Sequence, residues 1–377
     1  MDRRSFLTAV TAAVAIPALE LDAMASSKTS LIGPGALLAT ARVPGLAICG
    51  TLRRKIVNEC FGEAATEKHV PVTEHTIFPA ASMTKALFSF AVRRLARTGG
   101  FNLEAPLVEY GDVGITGVNA EKITARHVLT HTSGLPNWLF DARAPLEPQS
   151  QPGTRWRYSG EGFVALQRAI EKAMKQPIAV YMDTVVLPSL GMRESTVVWK
   201  PDLQSKSAVG YESELRPMQK SLTYYAEATD AAFRKVSFDP ATGTTEEALK
   251  ALSAGGQSPL RILITPNMAG SLWTTPVDFA RLAHALLADA KQHRDEYQPT
   301  VEAQGIISWG LAGAVDRSLG NAIFQYGDGP GYKNLLWLSP AEETALAFFT
   351  NGERGAHAYS WALRQQIGRD PAALYWV

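Results

Sequence analysis

Phe78-Pro79-Ala80-Ala81-Ser82-Met83-Thr84-Lys85 delivers a serine to the head of a strongly helical run. From Ser82 to Arg97 nearly every residue is a good helix former, and no Gly or Pro intervenes before Gly99-Gly100. The spacing predicts a helix with Ser82 in its first turn. Lys85 follows three positions later, so its ammonium shares a helix face with the serine hydroxyl, close enough to hydrogen-bond it and favour its deprotonation. The helix N-terminus adds positive potential at the same point. Ser-x-x-Lys occurs once here, but two specified residues arise by chance about once in a chain of this length at average residue usage. Alone, the motif favours a plainer reading, an N-capping serine beside an exposed lysine. The segments that accompany it overturn that reading.

With 377 residues, 46% of them hydrophobic, the chain can bury a substantial core, and two intimately packed lobes are expected. Its 37 basic and 36 acidic residues are spread rather than clustered, for a net charge of +1, which leaves no electrostatic footprint for nucleic acid. Small-molecule chemistry fits such a surface better. The first residues, Met1-Asp2-Arg3-Arg4-Ser5-Phe6-Leu7-Thr8, lead through an Ala/Val-rich stretch to Leu19 and then Ala23-Met24-Ala25. This resembles a twin-arginine export signal cleaved after Ala25. The apolar stretch from Phe6 to Leu19 contains Pro17 and falls short of the roughly 20 residues that span a bilayer. No cysteine lies near the cleavage point. Residues 1–25 are therefore expected to be a leader, and 26–377 a periplasmic or secreted hydrolase domain without a stable membrane anchor. Cys49 and Cys60, the only cysteines, flank a predicted hairpin, where a bridge is open to them in an oxidising compartment.

A first helix is expected from Ser30 to Arg42, followed by strands Gly45–Thr51 and Lys55–Gly62 around a short basic turn and a third short strand at Thr76–Phe78. Beyond the Ser82 helix, up to about Thr265, the chain shows helical patterns and turn signals but no convincing strand pair. Thr124–Leu129 leads into His131-Thr132-Ser133-Gly134-Leu135-Pro136, and Gly162–Met174 has amphipathic helical spacing. Residues 199–259 are charged and weakly periodic, and read as an irregular insertion covering a site. After Pro276 come a helix, Val277–Ala290, strands near Gly305–Val315, Asn321–Tyr326, Asn334–Leu338 and Thr344–Thr350, and a last helix, His357–Ile367. The connections between these four strands are too short for crossovers, so they pair antiparallel. The expected architecture is α+β. One antiparallel sheet, from about 30–80 and 266–377, is flanked by the N- and C-terminal helices, and a mostly helical lobe, about 81–265, is inserted into it.

A serine hydrolase needs a nucleophile, a base and donors for the oxyanion. The chain has seven histidines and no Gly-x-Ser-x-Gly elbow. His127 and His131 share a helical spacing, but the zinc-protease pattern needs Glu where Val128 stands, so His131 reads as a structural residue at the turn into Ser133-Gly134. The alternative base is tyrosine. Gly153-Thr154-Arg155-Trp156-Arg157-Tyr158-Ser159-Gly160-Glu161-Gly162-Phe163 sets Tyr158 at the entrance to a helix. A lone tyrosine is usually packing, whereas one beside a lysine ammonium can accept a serine proton.

Ser82-Met83-Thr84-Lys85, Tyr158-Ser159-Gly160 and the glycine-rich Gln325-Tyr326-Gly327-Asp328-Gly329-Pro330-Gly331-Tyr332 together resemble the three boxes of the serine β-lactamase and penicillin-binding superfamily. The nearest branch is the class C β-lactamase-related group, with its family VIII esterases and D-stereospecific peptidases. His131-Thr132-Ser133-Gly134-Leu135, Ala269-Gly270-Ser271-Leu272-Trp273-Thr274-Thr275 and Thr350-Asn351-Gly352 match the same group. The resemblance covers about 43–191 and 265–368 and implies a β-lactamase/transpeptidase-like fold. It further implies Ser82 as acylated nucleophile, Lys85 as its activator, Tyr158 as base, and the backbone N–H groups of Ser82 and Asp328 as oxyanion hole, with no metal or cofactor. Gln325, Tyr326, Gly327 and Gly160 would line the substrate.

Two departures stand out. Gly160 replaces the family's Asn, and Gln325 its Lys or His, with Tyr326 in place of a small hydroxyl residue. Sliding the third box three places would put Asp328 at the cation position. Neither register supplies a cation, and Lys333 is expected too far along the same strand to substitute. The resemblance and its departures therefore imply an acyl-enzyme hydrolase of small or short-chain esters, and the N-terminal signal adds the expectation that it is exported. Its rivals are a D-alanyl peptidase or weak β-lactamase and, from another class, a penicillin-recognising binding domain without turnover.

Overall fold

The structure, a computed structural model, describes residues 32–376. The expected leader, residues 1–25, lies outside the described residues. Helix α1 (Pro34–Ala41) precedes strands β1 (Gly45–Leu52), β2 (Lys55–Ala65), β3 (Val70–Pro71) and β4 (Phe78–Pro79). Helices α2 (Thr84–Arg97), α3 (Ala125–Leu129), α4 (Gly160–Met174), α5 (Leu222–Lys235) and α6 (Thr245–Ala254) follow, between the early and the late strands. The chain returns through β5 (Trp273–Thr274), α7 (Pro276–Gln292), strands β6 (Val301–Gln304), β7 (Ile307–Gly310), β8 (Gly313–Asp316), β9 (Ala322–Gly329), β10 (Tyr332–Ser339) and β11 (Thr344–Thr350), and helix α8 (Gly355–Ile367).

Nine strands form one antiparallel sheet in the order β3-β2-β1-β11-β10-β9-β8-β7-β6. Leu46 of β1 opposes Thr350 of β11, so the early and late parts of the chain join at the middle of the sheet. Alternation along the strands serves two cores. Leu46, Ile48, Leu346 and Phe348 face α1 and α8, while Ala47, Cys49, Ala347 and Phe349 face α7. Both faces are covered, which is why β1 and β11 read as continuous apolar runs. Cys49 and Cys60 are free thiols. Cys60 sits opposite Ala47 rather than Cys49, and burial first, then Glu74, pushes its thiol up to about 11.

Three expectations are corrected. The segment expected as one strand, Gly305–Val315, turns back on itself as the β7–β8 hairpin with β6 ahead of it, giving six late strands instead of four. Its turn was hidden because Leu311 and Ala312 are buried rather than polar, and Gly313 makes the reversal with φ 140°. The short strand expected at Thr76–Phe78 is β4, Phe78–Pro79, paired with Thr274 and Trp273 in a separate two-stranded sheet. The insertion 199–259 is not irregular throughout, since it contains α5 and α6. Ser221 Oγ caps α5 by accepting Tyr224 N–H, and Thr244 with Glu247 forms a capping box on α6.

Candidate active site

Ahead of α2 the chain makes a short 3-10 turn, Ala81–Met83, that carries Ser82. Ala81 has φ 46°, a left-handed conformation that costs a non-glycine residue about 1–3 kcal/mol unless its surroundings impose it. Here they do. Thr84 Oγ1 donates to the Ala81 carbonyl at 2.6 Å and accepts Leu272 N–H at 3.0 Å. Ala80 N–H in turn donates to the Leu272 carbonyl at 2.8 Å. The Ala269–Leu272 segment is thus a strap across the serine turn. Lys85 is buried, and its Nζ donates to Ser82 Oγ at 3.1 Å and to the Ala269 carbonyl at 2.7 Å. Ser82 itself is half-buried.

Tyr158 ends the loop before α4. The next residue, Ser159, caps that helix, its Oγ accepting Gly162 N–H at 2.9 Å, while its own N–H donates to His131 Nδ1 at 3.1 Å. With Nδ1 accepting, the His131 ring proton resides on Nε2. Burial, and then the charge of Lys85, hold the His131 imidazole well below its ordinary pKa, so it is neutral. Its ring packs 4.2 Å from that of Tyr158 and 4.8 Å from Trp309, centroid to centroid. His131 is therefore a scaffold residue that positions the tyrosine segment, and His127 serves the α3 capping box through Thr124. Lys85 Nζ lies 4.9 Å from the centre of the Tyr158 ring, so the fold brings Ser82, Lys85 and Tyr158 together.

Strand β8 pairs with β9 only as far as Phe324, which leaves the edge from Gln325 to Gly329 to face the serine turn. A Cβ on Gly327 would stand 2.3 Å from the Ala80 carbonyl oxygen, so the backbones meet there and only glycine fits. Asp328 follows beside Ser82 on the cavity walls. Gln325 is buried and its Nε2 donates to the Tyr326 carbonyl at 3.0 Å. The Tyr326 hydroxyl donates to the Ala373 carbonyl.

Lys333 corrects the sequence expectation. It is the second residue of the neighbouring strand β10, directly opposite Asp328, and lines the same cavity as Ser82. Its Nζ contacts Asp328 Oδ1 at 2.6 Å and Glu353 Oε2 at 3.0 Å. Burial alone would lower the Lys333 ammonium, yet the two carboxylates outweigh it and hold its pKa above the ordinary value. The site does contain a second cation, already neutralised by two anions.

Two cavities meet at Ser82, Asp328 and Trp138. The smaller, about 210 Å³, is lined by Leu222 and Tyr225 of α5 together with Ile262 and Trp273. The larger, about 790 Å³, is walled by Trp156, Tyr158, Trp309, Tyr326 and Trp376. Gly160 is on neither wall, against expectation, because a Cβ there would stand 2.2 Å from Trp138 Cζ2. The indole occupies the space where a side chain would reach out. Sequence reasoning set Lys333 aside and missed Trp138, Glu353 and Trp376. Of these only Trp138 had a signal, a glycine at a position where the resembled family carries a side chain.

The Beta-lactamase family model matches residues 35–369. Among curated proteins, the chain is 31% identical over 165 residues to Esterase EstB of Burkholderia gladioli, covering 35% of this chain and 41% of that protein. It is 26% identical over 187 residues to a Beta-lactamase of Yersinia enterocolitica, covering 47% and 48%. The aligned part thus spans less than half the length of either relative. Among solved structures, the octameric penicillin-binding protein homologue from Pyrococcus abyssi superposes with a TM-score of 0.66 at 20% identity over 89% of this chain and 76% of its own. A class C β-lactamase from Rhodobacter sphaeroides gives 0.66 at 17% identity over 88% and 96%. These two likenesses speak for the fold.

Proposed function

This chain belongs to the Beta-lactamase family, and from that premise we propose that it is a serine hydrolase of small, uncharged esters, working through an acyl-enzyme on Ser82. Lys85, 3.1 Å from Ser82 Oγ, activates the hydroxyl, and Tyr158 takes its proton as the serine attacks the ester carbonyl. The N–H groups of Ser82 and Asp328 stabilise the oxyanion. Water then repeats the sequence on the acyl-enzyme and releases the acid. The likeness to an esterase and to a β-lactamase supports the general chemistry. Export to the periplasm belongs to the same proposal through Arg3-Arg4 and Ala23-Met24-Ala25.

The observation that carries the ester reading is the tie of Lys333 to both Asp328 and Glu353. A β-lactam carries a carboxylate beside its ring and an amide side chain, and both need donors while water attacks. A charged hydrogen bond to a carboxylate contributes roughly 1.5–3 kcal/mol and a neutral one about 1, so an already neutralised cation forgoes on the order of ten-fold in affinity. Trp138, covering Gly160, offers an apolar face where an amide donor would stand. A simple ester asks for neither group. Specificity constants on p-nitrophenyl butyrate and nitrocefin, from one preparation, test the proposal. The butyrate is expected to give the higher constant, with steady turnover well beyond one equivalent. A higher constant on nitrocefin overturns the ester reading, and a single burst without turnover replaces the enzyme with a binding domain.

A further inference from the structure

We infer that the larger cavity is the alcohol side of the site and that it accepts a neutral, planar aromatic leaving group, with Trp376 as the specificity-determining wall; the inference rests on the ester reading above. In acylation the bond from Ser82 Oγ to the acyl carbon forms as the bond from that carbon to the alcohol oxygen breaks. The proton taken from the serine must then be returned to the departing oxygen by the same base. Tyr158 lines the larger cavity and not the smaller one, so the alcohol oxygen faces the larger cavity. The acyl chain is left with the smaller one, whose volume of about 210 Å³ admits a short chain.

The larger cavity presents aromatic faces. Trp376 stands 5.6 Å from Trp156 and 6.0 Å from Trp309, centroid to centroid, and lies within 17° of parallel to Tyr326 at 6.4 Å. Rings at these spacings favour a further ring stacked or edge-on beside them over a saturated group of equal size. Trp376 does not reach this position by chance packing. It follows a segment whose Ala373 N–H donates to the buried Asp316 Oδ2 at 2.7 Å, and whose Ala373 carbonyl accepts the Tyr326 hydroxyl. The residue that departs from the resembled third box is thus the anchor of the wall. Charge narrows the class further. The Lys333 ammonium on the cavity wall is already bonded to Asp328, on the same wall, and to Glu353, so it is not free to pair with an anionic alcohol.

Benzyl butyrate and cyclohexylmethyl butyrate share an acyl group and have alcohols of similar size, so the change in their kcat/KM ratio between the unaltered chain and its Trp376 variants reads ring recognition. The full-length chain is expected to prefer the benzyl ester by about threefold to tenfold. Trp376→Leu should bring the ratio near one, and Trp376→Phe should keep most of it. A ratio near one in the unaltered chain, or a ratio unmoved by Trp376→Leu, overturns the inference while leaving the ester reading intact. Failure of the folded chain to hydrolyse either ester overturns the ester reading first. If Trp376→Leu does not fold, competitive inhibition of the unaltered chain decides: benzyl alcohol is expected to inhibit more strongly than cyclohexylmethanol, and equal inhibition counts against the inference.

Discussion

The serine turn and the end of strand β9 face each other across the same two cavities, yet their polar groups are organised oppositely. In the turn, Thr84, Leu272, Lys85 and Ala269 bond so that one hydroxyl, Ser82 Oγ, is held toward the substrate side. At the strand end, Gln325 bonds to Tyr326, Tyr326 to Ala373, and Lys333 to Asp328 and Glu353. Those side chains are taken up by backbone carbonyls or by one another and leave mainly aromatic surface for a ligand. On the proposed reading, the first region would break the acyl bond and the second would select which acyl compound arrives.

Breaking the first region should have the largest effect. Ser82→Ala, Lys85→Ala and Tyr158→Phe are each expected to lower kcat on p-nitrophenyl butyrate by about 10³-fold or more, and double changes should add little, since the three groups move one proton together. A Tyr158→Phe enzyme near the original rate would remove the tyrosine from the comparison. The strand end is sharpened by Asp328→Asn, which releases Lys333 from one of its two carboxylates. The ratio of nitrocefin to butyrate turnover should then rise about ten-fold. An unmoved ratio would mean that the neutralised cation does not set selectivity.

The smallest effect concerns the scaffold beneath Tyr158. His131 is held neutral in the fold, well below its ordinary pKa, so the unfolded chain gains a proton there that the folded chain does not as pH falls below about 6.5. Stability is complete above that value and should fall by up to about 1.4 kcal/mol per pH unit below it. Denaturant titrations from pH 7.5 to 5 check this. His131→Gln should flatten the acid limb, and an unchanged slope would assign the proton to another group.

The serine turn was legible because its evidence is local: an i,i+3 pair, an unbroken run of helix formers, and apolar strands that reach the sheet centre from both ends of the chain. What stayed hidden was non-local or inverted a usual cue. The buried Leu311-Ala312 turn lacked polar punctuation. Helices α5 and α6 carried capping residues but few apolar repeats, so charge masked their start signals. Lys333 meets Asp328 only through strand pairing across the β9–β10 hairpin. Gly160 read as a missing donor, although the structure shows that Trp138, 22 positions earlier, had taken its space. Trp376 reaches the cavity only because Asp316 and Tyr326 capture the segment before it.

The strap across the serine turn also bears on when the site comes into being. Leu272 holds Thr84 from 188 positions away, and Asn334 holds the Pro79 carbonyl from 255 positions away. Contacts of such long range form late, because the entropy of closing large loops must be overcome before they stabilise anything. A growing chain that has only just exposed Ser-x-x-Lys carries the reactive residues without the left-handed Ala81 that aims them. The proposed hydrolytic geometry is therefore expected among the last events of folding, and an N-terminal fragment bearing the full motif is expected to lack it.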